Sequence, residues 1–334
     1  MKILLFADSH LGFDYPIRPR IERRRRGADF FQNYQHILDV AITEKVDVLV
    51  HGGDVFFRSK IPPLVIEKAY EPLLKVLDNG IDMFLVPGNH ERSRLPQTPL
   101  FHHPRLHLFD KPRTFIVRRN NSEVAFGGIP NIRSNVADSI GRAIAASGLL
   151  ETTAQMKVLC LHQSIENAVV GVQNYKFRRG SDVIGLNQFP GGIDLIVSGH
   201  IHRQQVLESS YGTPIIYPGS IERTSFAERL EEKGYYVITL SETGITREFR
   251  PLECRPMLEW VLPGNLIDES SLLQEMESKR GSVPEDAILR FRCASPLQLG
   301  VLQIGKVRRL FPASINVEIA PASRMTAYHP AGYA

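Results

Sequence analysis

The sequence predicts an α/β fold, in which parallel strands form a sheet with helices on its faces, followed by a small second domain. Short apolar runs alternate with helical patterns from the N-terminus onward, and the stronger runs end in polar turns. After about residue 250 the pattern changes to a β-α-β-α-β unit. We therefore expect a large domain over residues 1–248, a small α+β domain over 249–323 and a patternless tail over 324–334.

The first strands and helices are marked by the period of their apolar residues. Apolar residues at three- and four-residue spacing predict an amphipathic helix around residues 30–42. Pro62 and Pro63 open a second helix, which Asn79 and Gly80 close. Three apolar runs predict buried parallel strands: Lys2–Ala7, Asp47–Val50 and Asp82–Val86.

The same apolar patterns predict a middle region rich in strands and a C-terminal region of alternating strands and helices. Six further strands are predicted at residues 114–118, 123–127, 157–161, 194–198, 214–217 and 234–240. In the small domain we expect strands at 257–262, 287–293 and 315–319, and helices at 266–280 and 297–310.

Composition favours a cytoplasmic globular protein. The 334 residues are 43% hydrophobic and 23% charged, which is ordinary for a soluble chain. No apolar run approaches the roughly 18–20 residues of a membrane span, and the first residues lack the features of a signal peptide. The three cysteines are widely spaced, which indicates a reducing compartment. A formal charge of +4 is compatible with a nucleic-acid partner but too small to demonstrate one.

Side chains that bind metals follow five of the predicted strands. In open α/β sheets, ligands gather beyond the carboxyl ends of strands, so these side chains are expected to meet at one rim and form a metal site. Each motif alone is weak, because an isolated histidine is more often structural and Asp54 also fits a turn or a helix cap. The residues are Asp8, His10, Asp54, Asn89, His162, His200 and His202.

Taken in order, these motifs resemble those of the calcineurin-like metallophosphoesterases: Asp-x-His, Gly-Asp, Gly-Asn-His-Glu, a lone histidine and Gly-His-x-His. The resemblance implies a metallophosphoesterase β-sandwich flanked by helices and a site for two divalent metal ions. It also implies that one ion is held by Asp8, His10, Asp54 and His202, and the other by Asp54, Asn89, His162 and His200. Asp54 would bridge the pair.

The chemistry of this donor set agrees with that assignment. Its mixture of oxygen and nitrogen ligands suits manganese, iron or zinc better than calcium, and manganese is the ion that we expect. Two divalent cations would lower the pKa of a shared water and supply hydroxide for attack on phosphorus near neutral pH. By the same resemblance, His90 stabilises or protonates the departing oxygen; the alternative is a structural histidine.

Longer segments resemble the SbcD family of DNA double-strand-break repair nucleases: ADSHLG, LHQSIE, GHIHRQQ, YPGSIERTSF and EEKG. The resemblance covers nearly the whole chain and implies manganese-dependent exonuclease and endonuclease activity near DNA ends. It implies a homodimer, a capping domain on the DNA-binding side at residues 249–323, and an SbcC-type ATPase partner. The segment that holds this ATPase in relatives is missing or very short here.

One further departure and three rival functions keep alternatives open. Phe57 stands where some SbcD relatives have a histidine, so the balance of exonuclease and endonuclease action stays undecided. Protein phosphatases continue their bridging motif as Asp-x-x-Asp-Arg-Gly, whereas here Asp54 is followed by Val55–Arg58. A small-molecule phosphodiesterase for cyclic nucleotides or dinucleotides, or a non-catalytic scaffold that binds DNA ends, remains the alternative.

Basic residues give two candidate DNA contacts. Lys176, Arg178 and Arg179 lie between two metal motifs in a long predicted loop, a place suited to phosphate binding. Arg23 and Arg26 bound a run of four arginines, for which a solvated face is the alternative. No zinc finger or aromatic stacking motif is present in the sequence, so we expect recognition of the DNA backbone rather than of base sequence.

Overall fold

The computed structural model describes residues 1–15, 24–91, 95–96, 98–119 and 122–321. The chain divides into two compact units: Met1–Tyr15 with Gly27–Glu253, and Pro16–Arg26 with Cys254–Ala334. The second unit thus includes a short segment from near the N-terminus, which no periodicity in the sequence indicates. The predicted tail at 324–334 lies outside the described residues, and the predicted domain boundaries stay predictions.

The first unit is a sandwich of two six-stranded sheets flanked by helices. Its strands are β1 (Lys2–Phe6), β2 (Val48–His51), β3 (Asp82–Leu85), β4 (Leu106–Leu108), β5 (Arg113–Arg119), β6 (Ser122–Gly128), β7 (Met156–His162), β8 (Val169–Val170), β9 (Tyr175–Lys176), β10 (Leu195–Gly199), β11 (Gln205–Glu208), β12 (Pro214–Tyr217), β13 (Gly234–Ser241) and β14 (Gly244–Pro251). Its α-helices are α1 (Gly27–Thr43), α2 (Pro63–Asp78) and α3 (Val136–Ser147).

Both sheets have a parallel centre, with antiparallel strands at one edge of the first sheet and at both edges of the second. The first has the order β14-β13-β1-β2-β3-β4, with β1 to β4 parallel and β13 antiparallel to β1. The second has the order β11-β12-β10-β7-β6-β5, with only β5 and β11 antiparallel to their neighbours. β8 and β9 form a separate hairpin. The α/β class with a helix-flanked β-sandwich is therefore confirmed.

Alternation along the strands builds the core. Ile3 and Leu5 of β1 pack between the two sheets, whereas Leu4 and Phe6 belong to the apolar layer that α1 and α2 cover. The outer face of the second sheet is covered by α3, through Ile140 and other buried residues. The result is four layers, helix–sheet–sheet–helix, in which a slip of one residue in β1 would exchange the two apolar faces.

The helices of the first unit are amphipathic and moderate in length. α1 has 17 residues and buries Phe30, Tyr34, Ile37 and Leu38 at helical spacing, as the sequence predicts. Among the described residues no helix combines the length and apolarity needed to cross a membrane.

The second unit is a three-stranded parallel sheet with helices: β15 (Met257–Val261), α4 (Glu269–Ser278), β16 (Ile288–Cys293), α5 (Pro296–Val301), α6 (Ile304–Arg309) and β17 (Asn316–Pro321). α4 begins later than predicted because the carboxylate of Asp268 caps it, accepting from the Ser271 nitrogen at 2.9 Å. The single helix predicted at 297–310 is wrong, since Leu302 and Gln303 are extended and separate α5 from α6.

Candidate metal centre

The predicted metal-binding residues all lie where parallel strands of the first unit end. Backbone bonds hold the first two loops together, from the Asp8 nitrogen to the Gly53 carbonyl (2.9 Å) and from the His10 nitrogen to the Asp54 carbonyl (3.0 Å). Parallel strands end at the same edge of a sheet, so their loops are adjacent. Asp8 and His10 follow β1, Asp54 follows β2, Asn89 follows β3, His162 ends β7, and His200 and His202 follow β10.

Four of these residues have backbone conformations that residues other than glycine rarely adopt. The φ angles of Asp8, His10, Asp54 and His200 are 51°, 41°, 54° and 86°. Positive φ is uncommon outside glycine, and such residues persist only where the surrounding structure holds them. Here the backbone hydrogen bonds between the loops after β1 and β2 hold Asp8, His10 and Asp54.

One group of side chains comprises Asp8, His10 and His202. Their ligand atoms lie within 4.8 Å of one another. The Nε2 atoms of His10 and His202 are 2.9 Å apart, and both carboxylate oxygens of Asp8 accept from the His200 nitrogen at 3.0 Å. These contacts join the loop after β1 in the first sheet to the loop after β10 in the second.

A second group surrounds Asn89 and Asp54. The Asn89 Oδ1 atom lies 3.0 Å from His162 Nε2 and 3.0 Å from His200 Nδ1. His162 Nε2 is also 3.4 Å from Asp54 Oδ2. Asp54 shares one close group with His10 and His90 and another with Asp8 and His162, and so lies between the two groups. The structure thus brings together all seven side chains predicted from the sequence.

The burial and charge of these residues fit bound divalent cations. The Nδ1 atom of His10 is buried and has no hydrogen-bond partner among the described residues. Asp8 and Asp54 are 0% and 1% exposed, and a buried carboxylate is costly without a counter-charge. Carboxylate, amide and imidazole donors are the ligand types that transition metals take. A pair of divalent cations would satisfy these groups.

The pKa values divide the histidines of the cluster into two pairs. Burial raises the pKa of Asp8 to about 6, whereas His162 and His10 outweigh burial and hold the pKa of Asp54 below its ordinary value. Burial, with the neighbouring His162, lowers the pKa of His200 to about 3, and burial also lowers that of His10. Neutral imidazole is the form that binds metals, and His10 and His200 favour it. Burial also opposes the charge of His162 and His202, but Asp54 beside His162 and Glu228 beside His202 outweigh it and raise both pKa values, to about 9 for His162. A metal ion at these two residues would displace a proton.

His90 lies beside the cluster with a defined orientation. Its Nδ1 is 2.6 Å from the Phe57 carbonyl, and its backbone nitrogen donates to Asp54 Oδ1 at 3.0 Å. A carbonyl only accepts, so Nδ1 carries the hydrogen and Nε2 is the nitrogen left for chemistry. Nε2 lies 3.8 Å from Asp54 Oδ2, and the side chain is 27% exposed.

Two buried glutamates that sequence reasoning missed support the site. Glu91 accepts from the Phe56 nitrogen (2.7 Å) and the Gly88 nitrogen (2.9 Å), and so ties the loops after β2 and β3. Its place directly after Gly-Asn-His was a signal for such a role. Glu228 contacts His202 Nδ1 at 3.1 Å, and no local pattern in the sequence marks it.

The predicted DNA contacts occupy varied environments. Lys176 ends β9 and is exposed, as is Arg178. Arg179 is exposed but paired, with its Nε 3.1 Å from Glu166 Oε2 and its Nη2 2.9 Å from Asn187 Oδ1. Arg26 is half-buried in the second unit, and Arg23 lies outside the described residues.

Comparison with curated proteins finds relatives that carry a DNA-repair name. The "DNA double-strand break repair protein Mre11" of Saccharolobus solfataricus is 27% identical over 251 residues, which are 72% of this chain and 61% of the relative. The Mre11 of Methanopyrus kandleri is 23% identical over 297 residues, covering 84% and 62%. An uncharacterized metallophosphoesterase of Bacillus subtilis, YhaO, is 26% identical over 256 residues, covering 73% and 58%. The chain spans about three fifths of each of these relatives.

Solved phosphatase structures and one family profile are also similar to this chain. A dimetal phosphatase from Danio rerio aligns with a TM-score of 0.47 and 11% identity, covering 75% of this chain and 96% of that one. A purple acid phosphatase from yellow lupin aligns with a TM-score of 0.44 and 12% identity, covering 75% and 51%. The calcineurin-like phosphoesterase profile matches residues 1–204, which contain every predicted metal-binding residue. This chain belongs to the calcineurin-like phosphoesterase family.

Proposed function

We propose that the chain is a two-metal DNA nuclease that cleaves phosphodiester bonds near DNA ends in double-strand-break repair. The proposal depends on the convergence of seven side chains of metal-binding type beside His90. Together they offer ligands for two metal ions and a group that can assist the departing oxygen, which are the parts that phosphodiester hydrolysis needs. The fold alone does not choose the substrate. The similarity to proteins named for DNA double-strand break repair supports DNA.

Each ion has its own proposed ligands. Asp8, His10, Asp54 and His202 would hold one, and Asp54, Asn89, His162 and His200 the other. We propose manganese, since the ligands mix oxygen and nitrogen. When bound, two such ions polarise the phosphoryl oxygens and lower the pKa of a bound water.

The remaining chemistry belongs to His90. Because the Phe57 carbonyl fixes one hydrogen on Nδ1, Nε2 is the nitrogen that faces the departing oxygen. It stabilises or protonates that oxygen from the imidazolium form, in which Nε2 carries the second hydrogen, and the neutral imidazole remains. The bond from the His90 backbone to Asp54 sets the distance between this histidine and the metal ligands. His90 therefore has a role that is separable from metal binding.

The substrate surface and the partners are further parts of the proposal. The exposed Lys176 and Arg178 would contact DNA phosphates, with the second unit as the capping domain on the DNA-binding side. A homodimer and an SbcC-type ATPase partner are proposed on the similarity to SbcD proteins, and a cytoplasmic location stays a prediction. Light scattering coupled to gel filtration would give twice the chain mass for the homodimer.

Cleavage of linear duplex DNA with manganese tests the nuclease. The parent should shorten the duplex, and His90→Ala should cleave 10²–10⁴-fold more slowly, the usual contribution of an acid–base group. Metal content, measured by mass spectrometry, should be unchanged in that variant. His36→Ala removes an exposed histidine of α1 and is the matched control, expected to cleave like the parent.

The same assay separates the rivals. A parent that leaves all DNA intact but hydrolyses a cyclic nucleotide or dinucleotide would be a small-molecule phosphodiesterase. DNA binding without any hydrolysis would indicate a non-catalytic scaffold. Matched linear, nicked and closed-circular DNA, each with manganese, would measure the balance of exonuclease and endonuclease action that Phe57 leaves undecided.

A further inference from the structure

The segment between β12 and β13, residues 218–233, holds two motifs that metal binding does not explain, GSIERTSF and EEKG, except for the last glycine of EEKG, which begins β13. We call it the support segment. It holds Glu228 and Lys233, which are 4% and 1% exposed. Charged side chains are almost never fully buried without partners, so such a pair in one segment calls for a reason.

The carboxylate of Glu228 is held from three directions. Its Oε1 accepts from the Thr224 hydroxyl at 2.6 Å, and its Oε2 lies 2.8 Å from the Lys233 ammonium. The third contact leaves the support segment, because Oε1 is 3.1 Å from His202 Nδ1. Glu228 therefore joins a fixed network to one of the proposed metal ligands.

This contact decides which nitrogen of His202 faces the metal site. An ionised carboxylate only accepts, so Nδ1 of His202 must carry the hydrogen. Nε2 is then the nitrogen that can present a lone pair to an ion, and it lies 2.9 Å from His10 Nε2. Without Glu228 the imidazole could take the other tautomer or rotate, and its lone pair would be lost to the site.

The support segment holds the backbone of His202 as well. The His202 carbonyl accepts from the Lys233 ammonium at 2.8 Å and from the Ser220 nitrogen at 3.0 Å. Gly219 has a φ of 79°, and a Cβ there would lie 2.7 Å from the same carbonyl. The chain thus approaches His202 too closely for any other residue.

We propose that Glu228 is a positioning residue for metal binding: held by Thr224 and Lys233, it fixes the His202 tautomer that presents Nε2 to an ion. The inference rests on the metal site of the proposed function, but not on DNA as the substrate. It also explains both motifs of the support segment: GSIERTSF supplies Ser220 and Thr224 to this network, and EEKG supplies Lys233.

The inference is tested by titrating manganese into the metal-free full chain in a calorimeter, in the absence of DNA. Glu228→Gln should weaken binding of one of the two ions 10–100-fold, the range usual for residues that orient metal ligands. Glu231→Gln is the matched control, because Glu231 also contacts Lys233, at 3.0 Å, whereas in the described part of the chain its carboxylate does not bond to His202. It should bind both ions within threefold of the parent.

Electron paramagnetic resonance supplies a readout that a general loss of stability would not change. At two manganese ions per chain, the parent should give the spectrum of a coupled pair, and Glu228→Gln that of isolated ions. If Glu228→Gln does not fold, Thr224→Val removes the hydroxyl that donates to Glu228 and lies 3.5 Å from His202 Nδ1, and it should weaken the same ion severalfold. Circular dichroism of the metal-free variants verifies folding.

The outcomes are distinct. Parent-like affinity in Glu228→Gln and Thr224→Val, equal losses in Glu228→Gln and Glu231→Gln, or a parent that binds no manganese would each overturn the inference. A parent that binds two ions but cleaves no DNA would refute the proposed nuclease, and a selective loss in Glu228→Gln would still support the role of Glu228.

Discussion

At the scale of single residues, the site depends on close approaches that exclude side chains. Gly88 precedes Asn89, and a Cβ at this position would lie 2.1 Å from Asp54 Oδ1 and 2.5 Å from the Asp54 nitrogen. Gly53 combines a φ of 105° with a virtual Cβ only 2.2 Å from His162 Nδ1. The glycines of these motifs are therefore steric requirements of the cluster.

We expect Gly88→Ala to displace Asp54, because the new methyl group would clash with the backbone nitrogen and the carboxylate of Asp54. Overpacking of this kind costs about 1–3 kcal/mol, and manganese affinity should fall at least tenfold. Thermal unfolding and calorimetric titration measure the two effects. Gly141→Ala in α3 meets nothing within 4 Å and is the control, expected to be neutral or stabilising. Parent-like manganese binding in Gly88→Ala would contradict the steric account.

The sequence predicts the seven clustered donors but not their supports, for a physical reason. Unusual polar residues at the ends of apolar runs can be recognised locally. Glu228 and Lys233 reach His202 from 26 and 31 residues away, across a turn whose path follows only from the tertiary structure. The tautomer that they impose is likewise invisible until the contacts are known.

At the scale of elements, one carboxylate joins the two sheets of the sandwich. Asp82 at the start of β3 is 3.0 Å from His107 Nε2 of β4 and 3.2 Å from Arg105 Nη1. It also accepts from Arg119 of β5, which belongs to the second sheet. Burial opposes ionisation of Asp82, but His107 and the two arginines outweigh it and hold its pKa below the ordinary value.

This depressed pKa predicts how stability depends on pH. The stabilisation is fully present above the unfolded-state pKa of about 4 and is lost as the pH falls through the lower folded-state pKa. Asp82→Asn should therefore cost about 1.5–3 kcal/mol at pH 7, and less as the pH falls below about 4. Urea unfolding at pH 7 and pH 3 measures this. Asp39→Asn, on the exposed face of α1, is the control, and an equal cost of Asp82→Asn at both pH values would refute the role of its charge.

Elements with strong periodicity are predicted well, and those defined by tertiary contacts are not. β1 and α1 follow directly from apolar spacing. α3 went unpredicted although Val136, Ile140 and Ile144 are spaced four apart, because its small and polar residues weaken the pattern. The break between α5 and α6 also escaped, since Leu302 and Gln303 are ordinary helix formers and only the local fold extends them.

At the scale of the whole first unit, the proposed ions would link its two sheets. Asp8, Asp54 and Asn89 follow strands of the first sheet, whereas His162 and His200 belong to the second. A ligand that binds only the folded state stabilises it, and at a hundred times the dissociation constant the gain is about 2.7 kcal/mol per site. Metal binding should therefore act on the sandwich as a cross-link that the apo protein lacks.

Removal of metal should lower the melting temperature of the first unit. In a domain of this size, 1 kcal/mol corresponds to about 2–4 °C, so two sites filled at a hundred times their dissociation constants should together raise the melting temperature by about 10–20 °C over protein treated with chelator. Differential scanning calorimetry checks this shift. Calcium at the same concentration is the control and should give a smaller shift, because it prefers an all-oxygen site. Equal melting temperatures with manganese and with chelator would show that the seven side chains do not bind ions together.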